Sequence, residues 1–103
     1  MTGSLAERVF TAHGDVWQLQ GRLRAGDGGG VLELAGIRLM ASGIALAQWN
    51  NGDVTDPSLV DLAAVRAFYA ERRLPWGVRL PAGTPWPHGR LVHHKRAMAA
   101  PLH

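Results

Sequence analysis

The chain of 103 residues is one domain in length, and its 47% hydrophobic content supports a packed core rather than disorder. It has no cysteine, which excludes disulfides and thiolate chemistry, and no apolar run long enough to span a bilayer. Residues 1–61 carry four Arg and seven acids, net −3, whereas residues 62–103 carry six Arg, one Lys and one acid, net +6. The start Met1-Thr2-Gly3-Ser4-Leu5-Ala6-Glu7-Arg8 has no charged segment followed by an apolar one, so no signal peptide and a cytoplasmic location are expected.

Ser4-Leu5-Ala6-Glu7 fits a capping box, in which the Ser4 hydroxyl accepts from the Glu7 amide and the Glu7 carboxylate reaches back to Ser4. Leu5, Val9 and Ala12 then share a face, with Phe10 beside them, and Gly14 reads as the stop of a short amphipathic helix. Val16 to Leu23 alternates, with Trp17, Leu19 and Leu23 on one side and Gln18, Gln20 and Arg22 on the other, the pattern of a half-buried strand.

Ala25-Gly26-Asp27-Gly28-Gly29-Gly30 is too rich in glycine to be an element and reads as a hairpin turn. It is not expected to cradle phosphate, because no Gly-Lys-Ser/Thr is present and the β-rich run Val31-Leu32-Glu33-Leu34 follows in place of a helix. A second strand is expected over Val31–Met40 and a third over Ile44–Trp49, divided by Ala41-Ser42-Gly43, which completes an antiparallel meander.

Asn50-Asn51-Gly52-Asp53 then reads as a polar loop of residues that tolerate positive φ. Asp56-Pro57 and Asp61 are candidate caps, and Leu62, Val65, Phe68 and Tyr69 recur at helical spacing, which predicts a helix over about 60–73 stopped by Pro75. Trp76, Val78 and Leu80 alternate with Gly77 and Arg79 in a strand. Pro81 to Gly89 is a stiff proline-rich loop, Arg90–Met98 a last strand, and Ala99–His103 a tail.

The order is therefore helix, three-strand meander, helix, strand, loop, strand. The fold class is α+β, a mixed sheet of about five strands packed on two helices, with residues 1–98 as one domain. The runs Leu39-Met40-Ala41-Ser42-Gly43, Trp49 to Pro57, Val60 to Tyr69, Leu74 to Gly83 and Pro85-Trp86-Pro87-His88-Gly89-Arg90 resemble the N-terminal lobe of actinobacterial tandem GNAT-type N-acetyltransferases.

The resemblance implies a GNAT-like lobe. A working lobe of that family holds the acetyl-CoA pyrophosphate on backbone amides of an Arg/Gln-x-x-Gly-x-Gly/Ala loop between its fourth strand and the next helix. At that place this chain has Asn50 to Pro57, with one glycine instead of two and two acids that repel phosphate. Leu23-x-x-Gly26-x-Gly28 has the glycine spacing but begins with Leu. In the tandem family the C-terminal lobe holds the cofactor. The resemblance thus implies no bound cofactor here, and a noncatalytic module that pairs with an acetyltransferase lobe or with itself as a homodimer.

Candidate ligand or interface residues are Trp49, Asn50, Asn51, Asp53, Arg79, Trp86, His88 and Arg90. Trp49 and Trp86 adjoin polar loops, and Arg79 alternates away from the core face and can meet an anion. His88 with Asp53 or Asp56 is a candidate acid–base pair if the two loops meet. A pocket between 49–53 and 86–90 would suit a small biosynthetic enzyme or a small-molecule ligand. No metal site is expected, since His93 and His94 fall on opposite faces of a strand. Nucleic acid on Arg66, Arg72, Arg73, Arg90, Lys95 and Arg96 is the least favoured partner, because those charges are spread over several elements.

Overall fold

The computed structural model describes residues 4–81 and 83–86. The expected last strand at Arg90–Met98 and the tail lie outside them.

Helix α1 spans Leu5–Leu23 and begins in the capping box read from the sequence: Ser4 Oγ accepts from Glu7 N at 3.1 Å, and Glu7 Oε1 accepts from Ser4 N at 2.7 Å. It runs through Gly14 without stopping, so the strand expected at Val16–Leu23 is instead the second half of this helix. The reason is tertiary. Gly14, Gln18 and Gly21 face the sheet and are buried. A Cβ on Gly14 would fall onto Asp53 Oδ2, and one on Gly21 would meet the Gly30 carbonyl at 2.7 Å. Glycine lets the helix approach the strands closely, and Gln18 Nε2 fixes the approach by donating to the Leu39 carbonyl at 3.1 Å. The alternation of Trp17, Leu19 and Leu23 does not mark burial, because Leu19 and Leu23 are exposed.

Strands β1 (Gly30–Leu34) and β2 (Ile37–Ala41) form a hairpin about Ala35 and Gly36, which divides the segment expected to be one strand. The glycine-rich run before β1 is accordingly a helix-to-strand connection with a 3₁₀ turn at Ala25–Asp27, not a hairpin turn. The third strand is also displaced. Ile44–Trp49 is loop closed by a 3₁₀ turn at Ala47–Trp49, and β3 is Asn51–Val54, within the stretch expected to be a polar loop. Asn, Gly and Asp have low β propensity, but here the environment outweighs it: all four β3 residues are buried between paired neighbours.

Asp56 caps a 3₁₀ turn at Pro57–Leu59, and Asp61 caps α2 (Leu62–Arg72), which agrees with the helix expected at 60–73. Strand β4 (Gly77–Arg79) follows. The sheet order is β1-β2-β3-β4, antiparallel except for the parallel β3/β4 pair joined through α2. The fold is α+β with two helices and a mixed sheet of four strands among the described residues.

Helix α2 supplies the apolar core. Val65, Phe68 and Tyr69 pack on Ile37, Leu39, Ala41 and Val54, with Trp76, Val78, Leu80 and Trp86 at the margin. Tyr69 stacks on Trp76 at 5.3 Å between centroids and donates to the Met40 carbonyl at 2.8 Å. No helix among the described residues is long and apolar enough to cross a membrane.

Candidate functional site

The helix α1 side of the sheet is built differently. In the antiparallel register Arg38 lies opposite Asp53, and in the parallel register Asp53 lies opposite Arg79. Glu33 lies opposite Arg38 on the other side. The four strands therefore carry one transverse row of alternating charge: Glu33, Arg38, Asp53, Arg79. Cross-strand neighbours of opposite sign attract, and the row needs all three registers at once.

Asp53 is the centre of this row and is only 2% exposed. Its Oδ1 accepts a short hydrogen bond from Arg79 Nη1, and its Oδ2 lies 3.8 Å from Arg38 Nη2, too far for a hydrogen bond. Arg38 turns its other nitrogen, Nη1, to Asp15 of α1 at 2.9 Å. The Arg79 guanidinium sits over the Phe10 ring of α1, 4.4 Å from its centroid. Helix α1 is thus bound to the row by one carboxylate, one aromatic ring and the close approach at Gly14.

Burial pushes the Asp53 carboxyl above its ordinary value; Arg79 and then Arg38 pull it down but do not overcome the loss of water. Asp53 Oδ2 and Arg38 Nε have no hydrogen-bond partner among the described residues. Helix α1 covers this carboxylate at Gly14, and its oxygens face Arg79 and Arg38 rather than open solvent. Its chemistry is that of an electrostatic clamp between helix and sheet.

The other expected site residues resolve into structural roles. Asn50 is fully buried and saturated. Its Oδ1 accepts from Ser42 N at 2.8 Å and Ser42 Oγ at 3.1 Å, while Nδ2 donates to the carbonyls of Ile44, Leu46 and Pro75. It ties the 42–46 loop to the approach of β4. Asn51 opens β3, and its Nδ2 donates to the Gln48 carbonyl at 3.1 Å. Trp49 is half-buried and meets Trp17 of α1 edge-on at 5.9 Å. Trp86 packs at the margin of the core. His88 and Arg90 lie outside the described residues, and with them one wall of the expected 49–53/86–90 pocket. Arg79 does meet an anion, but an internal one.

Sequence reading missed the partnership of Arg38 with Asp53 and with Asp15. Their separation along the chain hid it; the available signal was a charged residue inside each of three strands with apolar neighbours.

Asp56 accepts from Ser58 N at 3.0 Å and Asp61 from Ala63 N at 3.0 Å, so the amides that open the turn before α2, and α2 itself, already have carboxylate partners. Among the described residues no group of three or more His, Cys, Asp or Glu side chains is placed to hold a metal ion. No protein-family model matches the chain, and comparison with the curated proteins and with the solved structures returned no significant match.

Proposed function

We propose that this chain is a GNAT-like lobe that works as a noncatalytic module, pairing with an acetyltransferase lobe or with a copy of itself. One observation carries the reading. The resemblance would put a pyrophosphate loop at Asn50 to Pro57; of that run Asn51–Val54 is strand β3, with Asp53 held by Arg79, and the connection on to α2 offers carboxylates in place of free amides, since Ser58 N donates to Asp56 and Ala63 N and Ala64 N donate to Asp61. A diphosphate there would have to displace those caps and approach Asp56 and Asp61 together, against Coulomb repulsion. The order of helix, antiparallel strands, helix and parallel strand is compatible with such a lobe.

The test is calorimetric titration with acetyl-CoA, accompanied by thermal melts. A lobe of this kind gives no saturable heat and no shift in melting temperature at millimolar ligand, since only binding to the folded state raises stability. A stoichiometric isotherm abolished by free coenzyme A would overturn the noncatalytic reading.

A further inference from the structure

Helix α1 has a second apolar stripe that is largely exposed, with Val9 alone among its members half-buried. Leu5, Val9, Ala12, Val16, Leu19 and Leu23 follow one another at steps of four, three, four, three and four residues, the a/d spacing of a coiled-coil seam. The stripe lies opposite the face that Phe10, Gly14, Trp17, Gln18 and Gly21 turn to the sheet and its loops. Leu5 is 63% exposed, Val16 62%, Leu19 49% and Leu23 74%. Apolar side chains aligned along a whole helix and left in water are a contact surface rather than scattered exposure.

We propose that this stripe pairs with the same stripe of a second copy, as a parallel two-stranded coil. The proposal deepens the self-pairing branch of the functional reading by naming the partner and the surface, but it stands on α1 alone.

Residue types choose the occupant. Val9, Val16 and Leu23 fall at a, and Leu5, Ala12 and Leu19 at d; β-branched residues at a with Leu at d favour two parallel strands. The flanking charges agree. In an antiparallel pair the g positions face one another, which sets Arg8 against Arg22 and Asp15 against Asp15. In a parallel pair g faces e, which sets Arg8 beside the second copy's His13 and Asp15 beside its Gln20, so that no arginine meets an arginine and no carboxylate meets a carboxylate.

Geometry permits it. In a two-stranded coil the f position points directly away from the partner, and here f is Gly14 and Gly21, the residues against the sheet. Each sheet therefore sits on the outside of the pair. The seam is roughly 28 Å long at about 1.5 Å per residue, too short for isolated peptides to pair. Helix α1 is already folded on its sheet, so ordering it does not oppose association. One helix seam is at the small end of specific interfaces, which bury about 800 Å² per partner, so the dimer is concentration-dependent.

Sedimentation velocity over a micromolar to millimolar series tests this. The wild-type chain forms a reversible dimer. Val16→Glu and Leu19→Glu each raise its dissociation constant by about tenfold or more, because a charge enters the apolar seam; their melting temperatures stay near wild type, because both positions are exposed in the monomer. The chain has no native cysteine, so Val16→Cys supplies a single thiol. Mild oxidation cross-links it to itself, whereas preferential cross-linking of Val16→Cys with Ala12→Cys would mean an antiparallel pair and overturn the proposal. A strict monomer overturns it, as does a monomer that instead co-sediments with anionic vesicles. A dimer indifferent to both glutamates but broken by a proline in β1 overturns the seam while leaving the module reading intact; acetyl-CoA binding would do the reverse.

Discussion

The two faces of the sheet are held by different forces. On the α2 side, Ile37, Leu39 and Ala41 of β2 meet Val65, Phe68 and Tyr69, and the contact is apolar apart from the Tyr69 hydroxyl on the Met40 carbonyl. On the α1 side, the intervening residues of the same strands carry Arg38, Asp53 and Arg79, and the helix comes close through glycines. Apolar burial is non-directional and tolerates small shifts of the helix. Ion pairs and a glycine contact do not. The α2 face therefore supplies the stability, and the α1 face fixes one register and one helix position at a cost in desolvation.

The contrast can be broken at its strong side first. Leu39→Ala removes a fully buried side chain from the α2 face and lowers unfolding free energy by about 3 kcal/mol. Urea melts from acid to neutral pH return the same loss, since the deleted atoms belong to an apolar cluster whose one ionisable member, Tyr69, keeps its proton throughout that range. A loss that varied strongly with pH would show that the two faces are not separable.

Asp53 sharpens the contrast. Asp53→Ala leaves Arg38 and Arg79 facing one another and costs about 2 kcal/mol, below the roughly 3–5 of a fully buried pair because both guanidinium groups keep some contact with water. Asp53→Asn keeps the volume and an acceptor for Arg79, and stays within about 1 kcal/mol of wild type at neutral pH. The pH dependence has a definite sign. The folded state holds the Asp53 proton more tightly than the unfolded chain, whose value is 3.8. The associated stability is fully present below 3.8 and is lost as the pH rises through the elevated folded value. Relative to Asp53→Asn, the wild type therefore gains stability on acidification across that window. A wild type that loses stability there relative to Asn would mean that the arginines outweigh burial.

The smallest effect is at the rim. Asp15 pairs with Arg38 but its side chain is 62% exposed, so Asp15→Asn changes stability by about 0.5 kcal/mol or less, and added salt removes the difference. A larger, salt-resistant loss would mean that Asp15 belongs to the buried row.

Much of the fold was legible. The Ser4/Glu7 box, the Asp61 cap, the α2 core residues Val65, Phe68 and Tyr69, and the strand about Val78 all rest on signals a few residues apart. The errors share a cause. Gly14 reads as a stop because glycine disfavours helix locally, and Asn51-Gly52-Asp53 reads as a loop because those residues disfavour strand locally. Each was overruled by what lies across from it: the sheet needs a helix without side chains at Gly14, and Arg38 and Arg79 need a carboxylate at Asp53. The candidate site was half legible. Asp53 and Arg79 were singled out, but as partners for something external.

Residue order alone determined an α+β chain, the capped start of each helix and the apolar stripe of α2, because capping and periodicity are satisfied within a turn or two of backbone. Only the tertiary structure decided that α1 continues to Leu23 and that Arg38, Asp53 and Arg79 share one row. Those outcomes depend on desolvation and close approach between segments far apart in the chain, energies that have no value until the segments meet.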